Sequence, residues 1–466
     1  MEAQIYHTDS VVLFRNSQGN SGQGTILHLT RNLAVFEVYN PYSLVQLSEV
    51  LQDVRILRGE VVYYSGRAVV SNLVSTGILL IVSVSLIDPW SELAGFAPGK
   101  GLREEVSRFV RGWDAGHRLR PAYQLAVSNL RAFLGEVNRW LEQVETVAKA
   151  RGPERSTDYE REFFADVEAP LAPKLDELFA TFEREASQVP PEETMSHKAF
   201  ARREIHPLTL CSPFVHRTYT KPLGYGGDYV MVNMMLENRV QGANVYAKII
   251  DAAHLRSAPA EAHRNRIAML VEVLQAEAKR LTKQGRPLRV LNVGCGPAAE
   301  VQRLIREDPL AAWCEFDLLD FSEETICYAR QRLAEAKRNG TGEPRLRFIH
   351  KSINELLRDA IGEPESVIPC YDLIYCAGLF DYLQDRVCKR VMELFCRQVN
   401  AGGLVVVTNV HPRNPNRYNM EHILEWHLVY RDEQAMQRLT PAGEAGHTRS
   451  DSTGVNVFLE VRKKAA

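Results

Sequence analysis

An apolar run ending in two glycines separated by one residue constrains this chain more than any other feature. It reads Val290-Leu291-Asn292-Val293-Gly294-Cys295-Gly296-Pro297 and leads into a helical stretch. A run of this kind is a buried strand. Glycines are demanded at its end where a ligand must approach the backbone and a Cβ would clash. The next strand carries Asp317-Leu318-Leu319-Asp320-Phe321-Ser322. Asp320, nearest the strand tip, is placed to accept both ribose hydroxyls of an adenosine cofactor. The other reading of Asp320 is an N-cap for the helix that follows.

Strand and helix keep alternating beyond this point. Residues 288–293, 314–321, 345–349, 371–377 and 404–409 read as strands, with helical stretches such as 323–337 between them. That rhythm calls for a parallel sheet with helices on both faces. The chain closes differently: the turn Ser452-Thr453-Gly454 precedes an alternating run at 455–461, which adds an antiparallel hairpin to the sheet.

On these residues the region of roughly 285–463 resembles class I S-adenosylmethionine-dependent methyltransferases. The first motif of that family ends a strand in Gly-x-Gly, as Gly294-Cys295-Gly296 does, and its ribose acid is matched by Asp320. Its adenine loop corresponds to His350-Lys351-Ser352-Ile353, and its fourth strand to the run from Tyr371 to Gly378. The resemblance implies S-adenosylmethionine as cofactor, held by Asn292, Gly294, Cys295, Gly296, Asp320, Phe321, Ser352, Ile353 and Cys376. It also implies a multidomain α/β fold with a Rossmann-like sheet and C-terminal hairpin. Two positions depart from the pattern: Asn292 stands where an acid is usual, and Ser352 where an Asp is frequent. A dinucleotide dehydrogenase is the competing reading; its third glycine falls at Ala299, which that fingerprint tolerates, and the hairpin ending and fourth-strand pattern favour methyl transfer.

Substrate class is narrowed by what is missing. Lys+Arg 56 against Asp+Glu 58 leaves a net charge of -2, without the basic excess of a nucleic-acid binder. The Asn-Pro-Pro-Tyr type of element used for nucleic-acid amino methylation would follow the fourth strand. That place holds Cys376-Ala377-Gly378-Leu379-Phe380-Asp381-Tyr382, while Asn414-Pro415-Asn416-Arg417-Tyr418 comes after the fifth strand. A small-molecule or acyl substrate is expected instead, with no nucleic-acid partner. A carboxylate acceptor needs no general base; a hydroxyl or amine acceptor would, with His411 or Tyr225 as the candidates.

Two polar-aromatic clusters flank the glycine motif. One runs from Gly224 to Met235, and the other runs from His411 to Tyr418 and continues through Glu425, Trp426 and His427. With His263-Arg264-Asn265-Arg266, they resemble bacterial methyltransferase-like proteins grouped with synthases of 3-hydroxy fatty acid methyl esters. That likeness implies a fatty or acyl carboxyl as methyl acceptor. Under it Tyr225, Asp228, Tyr229 and Asn233 close over the cofactor, and His411, Asn414, Arg417 and Trp426 line the acceptor side. Arg264 and Arg266 either pair with the carboxylate or brace the fold.

The front of the chain is different in kind. Short β-branched runs at 11–14, 24–29, 33–38 and 78–84, broken by Gly, Asn and Ser, read as a small antiparallel barrel. It resembles a PilZ domain, with the cyclic di-GMP motif replaced at His28-Leu29-Thr30-Arg31-Asn32-Leu33 and only Arg15 upstream. Apolar spacing at Val106, Phe109, Val110 and Trp113, and again at Leu130, Phe133, Leu134, Val137, Leu141 and Val144, reads as helix. The expected division is therefore a PilZ-like barrel at 1–97, a helical linker or lid at 98–204, and a methyltransferase domain at 205–466. Residues 1–200 are the candidate surface for a homodimer or protein partner. No Cys-x-x-Cys occurs, no metal ligand set is assigned, and the most apolar run is too short and too serine-interrupted to span a membrane. A cytoplasmic location follows as an expectation. Rival readings are a signalling scaffold whose cofactor-binding domain does not turn over, and a small-molecule O- or N-methyltransferase.

Overall fold

The computed structural model describes residues 10–30, 32–39, 45–58, 61–75, 79–88, 119–150, 157–360 and 370–464, with three isolated positions before 119. The chain forms two compact units. The first takes Met1–Gly226, Asn238–Ser257 and Pro415–His427; the second takes Gly227–Glu237, Ala258–Asn414 and Leu428–Ala466. These are not the three consecutive blocks expected from the chain. The expected start at 205 falls inside the first unit, and a short stretch following the fifth parallel strand joins that unit too.

In the first unit, β1 (Ser10–Arg15), β2 (Ser21–Leu29), β3 (Leu33–Tyr39), β4 (Val50–Arg58), β5 (Val61–Ser75) and β6 (Leu79–Leu86) close into a barrel. The order is β1-β2-β3-β6-β5-β4, and every pairing is antiparallel. Period-two alternation sends Val12, Phe14, Phe36, Ile56, Val82 and Val84 inward, and closure leaves no open edge. The four runs expected from sequence fall in β1, β2, β3 and β6. β4 and β5 were not foreseen: Arg, Tyr, Ser and Gly interrupt their apolar alternation.

Helices Pro121–Ala150 and Thr157–Ala186 follow, then Thr194–Thr209, Pro213–Thr220 and Val245–Leu255. Leu130, Leu134, Val137 and Leu141 are buried on the first of these, as their spacing foretold. The expected helix through Val106, Phe109 and Trp113 lies outside the described residues. Stretch 415–427 packs into this unit: Glu425 pairs with Arg202, and its Oε1 accepts from the Ser85 hydroxyl of β6 at 2.9 Å.

In the second unit the sheet order is β12-β13-β11-β10-β7-β8-β9. Parallel strands β7 (Leu288–Val293), β8 (Cys314–Asp320), β9 (Arg345–His350), β10 (Tyr371–Cys376) and β11 (Val399–Val410) are extended by antiparallel β13 (Asn456–Arg462) and β12 (Gly446–Ser450). This is the expected Rossmann-like sheet with its terminal hairpin. Successive residues of β7 feed opposite cores, Val290 to one face and Leu291 to the other. The near-continuous apolar burial of β10 and β11 belongs to strands covered on both sides. Strand order reverses between β7 and β10, so the crevice for a ligand lies at their C-terminal tips.

Candidate functional site

At that crevice β7 ends in a turn held open by backbone geometry. Gly294 and Gly296 have φ of 68° and 52°, a region where a side chain is strained. A Cβ on Gly296 would meet nothing within 4 Å, and one on Gly294 only Leu379 at 3.7 Å. The turn thus borders open space. Its other side is tied to β8: Gly294 and Cys295 amides donate to the Leu319 carbonyl at 2.8 and 3.0 Å, and the Gly296 amide to Asp320 Oδ2 at 3.1 Å.

Asp320 is the last residue of β8 and is buried. Burial raises its carboxyl above the usual carboxylate range, while amide donors from Ser322, Gly296 and Phe321 oppose the rise. The cap of the next helix, Glu323–Asn339, is Ser322, whose hydroxyl accepts from the Thr325 amide. Asp320 is therefore not that cap.

A buried acid lies against Asn292. Glu300, in the first turn of helix Ala299–Glu307, brings its Oε1 to 3.0 Å from Asn292 Nδ2 and 2.7 Å from the Tyr375 hydroxyl. Both donate to it, although burial pushes the Glu300 carboxyl up. Sequence reading missed Glu300; the signal available was an acid four residues past the second glycine.

Other expected contacts resolve into distinct roles. Ser352 caps helix Ile353–Asp359 in a reciprocal box with Glu355, so its hydroxyl is already committed. Ile353 is buried beside it. Phe321 presents its carbonyl to His350 Nε2 at 2.8 Å. The Cys295 and Cys376 side chains are buried in the apolar cores, where burial pushes both thiols up. Tyr229 and Asn233 stand together on helix Tyr229–Glu237: the Tyr229 hydroxyl donates to Glu324 at 2.9 Å, its ring lies 4.6 Å from Tyr328, and Asn233 hydrogen-bonds the Tyr328 phenol. Asp228 caps that helix through the Val230 and Met231 amides.

The acceptor-side residues are shared between the units: His411 and Asn414 belong to the second, Tyr225, Arg417 and Trp426 to the first. His411 was expected as a base, but its Nδ1 accepts from the Arg413 amide at 2.8 Å and its Nε2 sits 3.3 Å from Glu433. With the lone pair on Nδ1 occupied, it braces a turn. Arg417 pairs with Glu421 at 2.8 Å, and Trp426 packs over Gly226. Arg264 donates to the Met235 carbonyl at 3.0 Å, a bracing contact.

Among the described residues no group of three His, Cys, Asp or Glu side chains could hold a metal ion, and no helix is long and apolar enough to cross a membrane.

A parallel sheet with a strand-order switch, an open glycine turn and a buried acid at the neighbouring strand tip define a nucleoside-cofactor domain. Residues 257–450 match the family model described as a methyltransferase domain, so the chain carries a methyltransferase domain. The open glycine turn and the buried carboxylate beside it fit S-adenosylmethionine as cofactor. No curated protein matches the chain. Among solved structures, a possible exported protein from Bordetella parapertussis aligns at 15% identity over 54% of this chain and 86% of its own, with a TM-score of 0.42. Magnesium protoporphyrin IX methyltransferase from Synechocystis PCC 6803, with bound S-adenosylhomocysteine, aligns at 14% over 44% and 85%, TM-score 0.32. The N-methyltransferase NodS from Bradyrhizobium japonicum WM9 aligns at 15% over 50% and 98%, TM-score 0.29.

Proposed function

We propose that this chain is an S-adenosylmethionine-dependent methyltransferase that esterifies the carboxyl of a 3-hydroxy fatty acid or related acyl acid. The donor half rests on one observation: an open Gly294–Gly296 turn tied to a buried Asp320 within a matched methyltransferase domain. Bound there, the cofactor supplies an electrophilic methyl group on a sulfonium. Asp320 orients the nucleoside through its ribose hydroxyls. Tyr229 and Asn233, on a helix packed against Glu323–Asn339, cover the same side.

The carboxyl reading is supported by the state of His411. Its Nδ1 lone pair accepts from the Arg413 amide, a contact that proton removal at that nitrogen would have to break. A carboxylate arrives already ionised, so its oxygen can form the new bond to carbon as the carbon–sulfur bond breaks, with no proton to move. The front barrel is read as a degenerate PilZ-like domain for regulation or protein contact, in a cytoplasmic protein with residues 1–200 as the contact surface. In support, Arg15 is already paired with Asp53 at 3.5 Å.

Incubating the full chain with methyl-labelled S-adenosylmethionine and free 3-hydroxy fatty acids of graded length tests this. Labelled methyl esters are expected. Donor binding without any ester, together with label on a hydroxyl or amine acceptor, sinks the carboxyl reading.

A further inference from the structure

Six non-glycine residues among those described have a left-handed backbone, and three of them gather in one buried place of the first unit. Ser48, Lys221 and Glu425 have φ of 58°, 47° and 51° and are almost wholly out of water. All three bear on the stretch 424–427. The Ser48 hydroxyl donates to the His427 carbonyl at 2.9 Å, and the Lys221 ammonium to the Leu424 carbonyl at 3.3 Å. Side chains disfavour this backbone region. Strain of this kind clusters where the surrounding structure holds a segment ready for a ligand.

The charges beside this stretch do not balance. Arg202 pairs with Glu425, and its Nε donates to the His422 carbonyl at 2.9 Å. Glu425 Oε1 also accepts from the Ser85 hydroxyl and lies 3.1 Å from His427 Nε2. Lys221 is spent on the carbonyls of Tyr219 and Leu424. Lys198, on helix Thr194–Thr209, is left over. It is 4% exposed, and its ammonium has no hydrogen-bond or ion-pair partner among the described residues. Glu421 is within its electrostatic reach, but that carboxylate is held by Arg417 at 2.8 Å. A buried ammonium with three donors and no acceptor opposes folding unless a ligand completes it.

The surroundings select the ligand. With Arg202 and Lys221 committed, one free cation calls for one negative charge. A phosphoryl group brings about −1.5 to −2 near neutral pH and would leave charge uncompensated; a carboxylate brings one. Aromatic rings stand close by. His422, whose imidazole feels the Lys198 charge, lies edge-on to Phe182 and Tyr418, with centroids 6.1 and 5.7 Å away, and its Nδ1 is 3.0 Å from the Tyr123 hydroxyl. Such rings offer an apolar wall to the carbon chain of an acid. We propose that the first unit carries a binding site of its own for an organic monocarboxylate, with Lys198 as its cation. Every residue of this site belongs to that unit, so the site is additional to the donor crevice and does not rest on the donor reading.

Calorimetry on the full chain with decanoate, decanol and inorganic phosphate tests this. Decanoate is expected to bind, with decanol and phosphate at least ~10-fold weaker. Lys198→Met is expected to weaken decanoate at least ~10-fold, or ~1.4 kcal/mol, and to leave S-adenosylhomocysteine binding as in the wild type. Lys221→Met, which removes an ammonium already spent on carbonyls, is expected to weaken decanoate less. A cooperative melting transition shows that each variant has folded. Decanoate bound equally by the wild type and Lys198→Met would overturn the assignment by placing the acid elsewhere. A wild type that does not bind decanoate would overturn it in favour of a purely structural lysine. Phosphate bound more tightly than decanoate, and lost in Lys198→Met, would overturn the carboxylate class. Decanoate binding through Lys198 in a chain that does not bind S-adenosylhomocysteine would uphold this site and remove the donor reading.

Discussion

At the scale of single residues, the donor crevice is an arrangement of buried charges. Asp320 sits at a strand tip with a carboxyl that burial raises and three amides lower. Ribose recognition needs the ionised form, which accepts two hydroxyls at once. Asp320→Ala is expected to weaken S-adenosylmethionine at least ~10-fold by calorimetry. Since the free-state carboxyl titrates above the usual range, donor affinity is expected to fall as pH is lowered, beginning at a higher pH than an ordinary aspartate would give. Affinity that stays flat down to the usual aspartate range would contradict that. Asp320 was legible in the sequence because strand order and chain position together place it. Glu300 was not, because its role depends on a turn of helix folding back onto Asn292.

At the scale of elements, the turn between β7 and helix Ala299–Glu307 separates folding from binding. A side chain on Gly296 meets no protein atom, so its cost is conformational, about 1–2 kcal/mol for a left-handed residue. Gly296→Ala is expected to lower Tm modestly and to weaken the donor by much more, because the methyl group projects into ligand space. A melting loss without a binding loss would show that the turn does not face the donor. Helix Ile353–Asp359 illustrates a cap that sequence placed in a ligand loop: Ser352 is spent on its own helix end. Removing it with Ser352→Ala is expected to cost about 1 kcal/mol by thermal melting.

At the scale of the whole chain, the first unit hides several ionisable groups among its helices and the stretch 415–427. Burial lowers Lys198 and Lys221 to about 7 and raises Glu183 to about 8. For the lysines the unfolded chain binds more protons between about 7 and 10.5, so stability rises with pH across that window. For Glu183 the folded chain holds the extra proton between 4.5 and about 8, so stability falls there as pH rises. Together these groups are expected to give a minimum in Tm near neutral pH. Lys198→Met is expected to raise Tm most at or below pH 7 and progressively less towards pH 10. A gain independent of pH would mean that Lys198 titrates alike in the folded and the unfolded chain and is not lowered by burial.

Sequence by itself determined what depends on neighbours along the chain. Strand and helix alternation, the glycine turn, the terminal hairpin and four of the six strands of the front barrel all follow from periodicity and backbone freedom over a few residues. Tertiary structure alone decided which charges lose their water and which partners they then find. Glu300 lies against Asn292, His411 is tied into a turn, two nitrogens of Arg266 find no hydrogen-bond partner, and stretch 415–427 belongs to the unit of the barrel. The physical reason is the same in each case. Burial and pairing of a polar group depend on residues far away in sequence, and their energies enter only when the chain has closed around them.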